Sequence, residues 1–512
     1  MDCRFQLSRP LQFWAQSVWL ALATIWSLQA ADQRQWGQAW SRNMVSDELG
    51  LADSFDPKTG RNIAWAARLG SEAHSTPVVA GGRVFIGTNN AEPRDRKHQG
   101  DRGVLMCFDE KDGHFLWQLV VPKREDDPFL DWPNSGISSP ATIEGNRLYL
   151  VNNRGEVVCL DVDGLANGND GPDLGEGTHM ALRGEPPMQP GPTDADVLWL
   201  FDLTAGAGIW SHDAAHSSVL IRGPHLYLNT GTGVDNTHKR IRTPDAPSLV
   251  VLDKATGRYL ARDNEHIAPR IFHSTWSAPS LGIVDGKERI FFCGGDGIVY
   301  AFEPLPFEAS TNSTPLTLKK LWQFDPDPAA PKEAVHRYNS NRRESPSNVY
   351  GMPVFGQGRL FVAGGGDVFW GKNEAWLKCI DPGKATNAEI WSYPLEKHVL
   401  GTPAVQDGLV FIADCGRTLH CVDASNGQRL WTQEFEGEAW ASPLVADGKV
   451  YLGTRGGQFL VMKADKHKTL LSSVILGSPI SATATAANRT LFVTTMTHLY
   501  AVRRGADSHS RD

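Results

Sequence analysis

The chain has 512 residues, among them 50 Gly, 31 Pro and 17 Trp, and a formal net charge of −8. That acidic balance argues against a general nucleic-acid binder, and the Gly, Pro and Trp content suits a turn-rich β protein. Beyond the start of the chain, no run is long and apolar enough to span a membrane.

At the start, Arg4 and Arg9 precede an apolar stretch from Phe13 to Leu28, which exits through Gln29-Ala30-Ala31. A basic start, an apolar core and a small-residue exit read as a secretory signal peptide over residues 1–30, the alternative being a retained signal anchor. No Cys follows the apolar core to take a lipid anchor. The mature chain is therefore expected to be exported, periplasmic or extracellular, without a transmembrane domain. Residues 31–61 read as a lead-in segment and 505–512 as a disordered tail.

Between them, over 62–504, one phrase returns eight times: a small residue and Pro, an apolar stretch, a Gly-containing turn, then a short aromatic strand. The aromatic strands are Val84-Phe85-Ile86-Gly87, Leu148-Tyr149-Leu150, Leu226-Tyr227-Leu228, Ile290-Phe291-Phe292, Leu360-Phe361-Val362, Val410-Phe411-Ile412, Val450-Tyr451-Leu452 and Leu491-Phe492-Val493. The late copies lie roughly 40 residues apart, the period of a propeller blade. One such unit cannot bury both faces of its sheet, so the copies must stack around an axis. The expected fold is all-β, a single eight-bladed β-propeller of four-stranded blades.

Within a blade, strand A carries the Pro and strand B is the aromatic strand. Strand C ends in Asp, as in Val250-Val251-Leu252-Asp253, and strand D is marked by Trp117, Trp199, Trp322, Trp391 or Trp431. Cys107, Cys159, Cys379 and Cys421 share one slot, two residues before that Asp. Equivalent slots fall in different blades, so these are small core residues rather than disulfide halves. The last copy ends after strand C. Its missing Trp-marked strand D appears at Asn62-Ile63-Ala64-Trp65-Ala66-Ala67, which predicts an N-terminal strand closing the last blade.

Strand alternation puts the D-to-A and B-to-C connections on one face. Most extra length lies there, in 90–103, 121–136, 205–210, 232–247, 262–276, 325–348 and 366–375. Long connections without secondary-structure signals point to function, and these should meet at one rim. These connections and the residues that directly continue them hold His212, Asp213 and His216, then His273 and Trp276, then Arg337, Arg342 and Arg343, then Asp367, Trp370 and Lys372. His212, His216 and His273 are either metal ligands or proton carriers, or they bond neighbouring loop backbone. Asp213 and Asp367 either act as base and His partner or accept turn N–H groups. Trp210, Trp276, Trp370 and Trp440 lie outside the blade-docking slot and are candidates for stacking on a flat ligand. The basic residues of the rim are either a field for an anionic ligand or a solvated face.

The phrase Ser442-Pro443-Leu444-Val445-Ala446-Asp447-Gly448-Lys449-Val450-Tyr451-Leu452-Gly453-Thr454 resembles the pyrroloquinoline-quinone (PQQ) enzyme repeat. So does Leu419-His420-Cys421-Val422-Asp423 with its following Asn426-Gly427 and Trp431. The chain also looks like exported PQQ-like repeat proteins of planctomycete type. The resemblance implies a central funnel, which in quinoprotein dehydrogenases holds PQQ with calcium and supports oxidoreductase chemistry. Asp213, Asp367, His212 and His273 would then serve catalysis. Trp210, Trp276, Arg337, Arg342, Arg343, Trp370, Lys372 and Trp440 would hold the cofactor, with no metal ligands assigned. The chain lacks the adjacent Cys pair of the alcohol-dehydrogenase branch, and it has no C-x-x-C for covalent haem. The other branch resembles the propeller subunit of the outer-membrane β-barrel assembly machinery, a cofactor-free scaffold. The partner is thus expected to be a small molecule, or an exported protein or peptide, at the loop-rich rim.

Overall fold

The computed structural model describes Met1 and residues 31–124, 130–212, 218–311, 314–386 and 388–507. The signal-peptide reading of 1–30 and the candidates Asp213 and His216 lie outside the described residues, as does most of the tail.

Strand pairing produces eight separate sheets in chain order, each a blade of four antiparallel strands at its centre. Blade 1, for example, runs Val78–Ala80, Arg83–Asn89, Arg102–Asp109 and Phe115–Pro122. The register explains the Cys slot. Phe85 pairs with Cys107, which pairs with Trp117 on the next strand. The same crossing recurs as Tyr149, Cys159 and Trp199, as Phe361, Cys379 and Trp391, and as Phe411, Cys421 and Trp431. In other blades the middle residue is Ala301 or Ala501. Only a small side chain fits between two aromatic rings on one sheet face, where Phe85 and Trp117 have centroids 5.9 Å apart. The six described cysteines are buried free thiols, and burial pushes the Cys421 thiol up to about 12.

The strand-D tryptophans join each blade to the next. Trp65 Nε1 donates to Glu110 O (2.9 Å), Trp117 to Val162 O (3.0 Å), Trp391 to Ala424 O (3.1 Å) and Trp431 to Asp465 O (2.8 Å). Each acceptor lies in the C-to-D turn of the following blade. Gly113 (φ 74°) shows why that turn carries glycine: a Cβ there would lie 2.6 Å from the Trp65 ring. The recurrent Asp holds the same turn, as where Asp109 Oδ1 accepts Lys111 N at 2.8 Å.

The ring closes as its sequence predicts. Arg61–Arg68 pairs with His498–Asp507, with Trp65 opposite Ala501, so the N-terminal strand supplies the fourth strand of the last blade.

The lead-in has a role that its sequence does not announce. Its oxygens accept from the innermost strand or adjoining turn of seven blades: Val79 N to Gln33 O, Ile143 N to Arg34 O, Leu281 N to Trp40 O, Phe355 N to Ser41 O, Val405 N to Asn43 Oδ1, Val445 N to Met44 O and Asn488 N to Ala31 O. Arg42, fully buried, reaches the remaining blade by donating to Ser218 O and Oγ, and it also bonds Pro279 O and Trp36 O. A segment that touches all eight innermost strands must lie across the axis. It occupies the channel and leaves a cavity on the loop-rich side.

Candidate functional site

Trp36 of the lead-in lines the floor of that cavity and donates Nε1 to Thr483 Oγ1 (3.2 Å). The cavity measures about 520 Å³. One repeat position forms its collar: the residue four before the first residue of each innermost strand. These are His74, Ser138, Trp276, Tyr350, Leu400, Trp440 and Ser481. In blade 3 the same count falls on His216. The B-to-C connections add His238, Phe369, Trp370 and Arg455, and the connections before blades 1 and 2 add Glu72, Trp132 and Ser135. Every wall residue above the floor thus comes from the two connection classes that share a face.

Of the sequence-predicted residues, the structure brings His273, Trp276, Trp370 and Trp440 to this wall. Trp210 stands apart from it, under Arg242, whose Cζ is 4.0 Å from the ring centroid. Arg337 and Arg343 are exposed and do not reach the cavity. Arg342 caps carbonyls instead, donating to Gly371 O (2.9 Å) and Phe369 O (2.7 Å). Lys372 is buried against Asp327 Oδ2 (2.6 Å) and Glu374 Oε2 (2.9 Å), a structural ion pair. Among the described residues, the guanidinium that lines the cavity wall is that of Arg455. It lies 4.1 Å over the Trp440 ring and donates to Ser481 Oγ at 2.8 Å.

Below Trp276 lies a buried polar group centred on Asp367. Its Oδ1 accepts the backbone N–H of Phe369 (2.9 Å) and Trp370 (2.6 Å), and its Oδ2 accepts His273 Nδ1–H (2.9 Å) and the Tyr350 hydroxyl. Burial pushes the Asp367 carboxyl up, but the His273 charge and these bonds outweigh it and hold it at about 2. An ionised carboxylate with both oxygens occupied fixes the tautomer and orientation of His273 rather than accepting substrate protons.

His273 Nε2 then faces His212 Nε2 at 3.0 Å. His212 uses Nδ1–H to donate to Val234 O (2.8 Å). Burial, then the neighbouring His273 and His238, hold His212 well below the usual imidazole range. His238 is lowered by burial and by His273, and its ring centroid lies 4.9 Å from that of His212. Nitrogen atoms from these three rings lie within 4.8 Å of one another. Sequence reading named two of the three. His238 has no repeat signal and sits among Lys239, Arg240 and Arg242.

The calcium that a quinoprotein resemblance implies does not fit these donors. Calcium takes six to eight oxygens. Among the described residues, the wall offers one carboxylate, Glu72, beside a nitrogen cluster, and both Asp367 oxygens are engaged. The flat body of PQQ does suit an aromatic slot, with Arg455 as the wall's guanidinium.

Comparison with known proteins follows the same lines. A family model described as the outer membrane protein assembly factor BamB matches residues 23–166 and 373–474. A curated relative is the lupanine 17-hydroxylase [cytochrome c] of a Pseudomonas species, 26% identical over 231 residues. That match covers 42% of this chain and 29% of the relative's length. Among solved structures, a europium-containing methanol dehydrogenase gives a TM-score of 0.58 at 11% identity, covering 93% of this chain and 98% of that one. The quinohemoprotein alcohol dehydrogenase of Comamonas testosteroni gives 0.58 at 11%, covering 94% and 82%. At such identity these structures establish the shared propeller fold.

Proposed function

Given that the chain is a propeller of the PQQ-like repeat family, we propose that its funnel binds a small, flat, anionic molecule. The observation that carries this reading is the collar. Trp276, Tyr350 and Trp440 occupy equivalent positions around one cavity, with Trp36 below and Trp370 and Phe369 beside them. Aromatic faces recognise flat ligands by stacking, at low conformational cost. A guanidinium carries five N–H donors, and Arg455 directs one side-chain hydrogen bond, to Ser481, within the described protein. Its remaining donors suit a carboxylate, sulfonate or phosphate on the ligand. Asp367 serves as a positioning residue for His273. No helix among the described residues is long and apolar enough to cross a membrane, and export rests on the basic and apolar sequence of residues 1–30.

A second reading has one specific observation in its favour. Trp132 (45% exposed) and Phe369 (41%) stand at the mouth, where an exported protein or peptide could anchor, as for a cofactor-free scaffold. Thermal unfolding with PQQ, with PQQ plus calcium, and with the aromatic anion 1-anilinonaphthalene-8-sulfonate separates the two. Small-ligand binding raises Tm with both flat anions, with or without calcium. No shift with either, together with reproducible capture of one exported protein through Trp132, favours the scaffold.

A further inference from the structure

We propose that His212, His238 and His273 form a three-imidazole site for one first-row transition-metal ion, zinc foremost, opening onto the funnel. The argument begins with the backbone. Three connections from different repeats are laced together: His212 N donates to Gly231 O (3.0 Å), Gly233 N to Trp210 O (3.1 Å), Val234 N to His273 O (2.9 Å) and Thr275 N to Thr232 O (3.2 Å). That lacing places His212 and His273 side by side in the interior, at 0% and 2% exposure. His238 ends a tight turn in which its N–H donates to Asp235 O (2.9 Å), with φ at 54°.

The outer hydrogen bonds decide which nitrogens face inward. His212 Nδ1–H is committed to Val234 O and His273 Nδ1–H to Asp367, so both Nε2 atoms are directed at the same space, 3.0 Å apart. A carboxylate or carbonyl behind each imidazole is the usual second layer of a histidine metal site. At Zn–N distances of 2.0–2.1 Å, tetrahedral ligands lie about 3.3 Å apart, close to the observed His212–His273 spacing. With all separations in the group within 4.8 Å, His238 needs to approach by at most about 1.5 Å to reach that spacing, a side-chain rotation for a residue on a turn. All-imidazole donors suit zinc, copper, nickel or iron and not calcium or magnesium. Because His238 and His273 also line the cavity, the fourth position faces the funnel, where a water or ligand oxygen would complete the tetrahedron. The site stands whether or not an organic ligand occupies the collar.

The alternative is a proton held between His273 and His212, and the test separates the two. The full chain, stripped with chelator and checked by circular dichroism, is titrated with Co²⁺ and with Zn²⁺. The expected result is one equivalent bound, with the intense visible bands of four-coordinate cobalt, displaced by zinc. Asp367→Asn should keep that stoichiometry and weaken affinity about 10–100-fold. His238→Asn, which retains a residue tolerant of positive φ and should preserve the native Tm, should abolish the cobalt bands. Binding of less than 0.1 equivalent by folded protein, or unchanged cobalt bands in folded His238→Asn, would overturn the site.

Discussion

Trp276 and Tyr350 hold the same repeat position in successive blades, and their ring centroids lie 4.6 Å apart on the funnel wall. Behind them the Tyr350 hydroxyl bonds Asp367, the carboxylate that orients His273. One aromatic step of the collar is thus wired to the histidine group, so ligand stacking and histidine geometry share a support.

The collar should be divisible from the fold. Trp440→Ala removes a half-buried ring that supports Arg455, and Trp276→Ala removes one beside Tyr350. Each is expected to weaken binding of 1-anilinonaphthalene-8-sulfonate by about 5–10-fold, the worth of one aromatic contact. Fluorescence titration measures this, with the circular dichroism spectrum unchanged.

The axial lead-in should be a main support of the ring. Arg42→Ala leaves the carbonyls of Trp36, Pro279 and Ser218 without their buried donor. A loss of about 3–5 kcal/mol is expected, read from urea unfolding. Because the segment bonds all eight blades, the transition should also broaden.

Closure is tested at its tryptophan. Trp65→Ala deletes a ring that contacts Phe108 and Phe492, in the first and last blades, with centroids 6.5 and 5.9 Å away. We expect a loss of about 3–5 kcal/mol and new protease cleavage near Arg61–Arg68. Gly113→Ala, which drives a Cβ into the same ring, should reproduce part of the effect.

Acid sensitivity should trace in part to Glu156, whose Oε2 accepts His179 Nε2 (2.8 Å) and Asn152 Nδ2 (2.7 Å). Burial raises its carboxyl, but the bond to His179 and that residue's charge outweigh this and lower it to about 2. A depressed carboxyl contributes stability that is full above its unfolded pKa, about 4.3, and is lost as pH falls toward 2. Glu156→Gln should therefore be less stable by roughly 3 kcal/mol at pH 7, with the difference nearly gone at pH 2. Thermal melts across that range measure it.

Much of this was legible because a repeat compares itself. The aromatic strand recurs eight times, the strand-D tryptophan six times and the Cys slot four times, so the copies check one another, and Trp65 fills the one strand D that the last copy lacks. The collar was also within reach, since Trp276, Tyr350 and Trp440 each stand three residues before the strand-A Pro. The lead-in was not legible: its contacts are made mainly by backbone oxygens, which leave no pattern in side chains. Arg342 and Lys372 were illegible for a different reason. A basic residue in a loop is as well used capping carbonyls or pairing with Asp327 as meeting a ligand, and sequence does not separate these uses.

The most direct test is a crystal structure of the chain grown with saturating 1-anilinonaphthalene-8-sulfonate. Density for the fused rings should lie among Trp276, Tyr350 and Trp440, with the sulfonate within about 3 Å of the Arg455 guanidinium. An open funnel without that density, or the anion bound only on the outer blade surfaces, would contradict it.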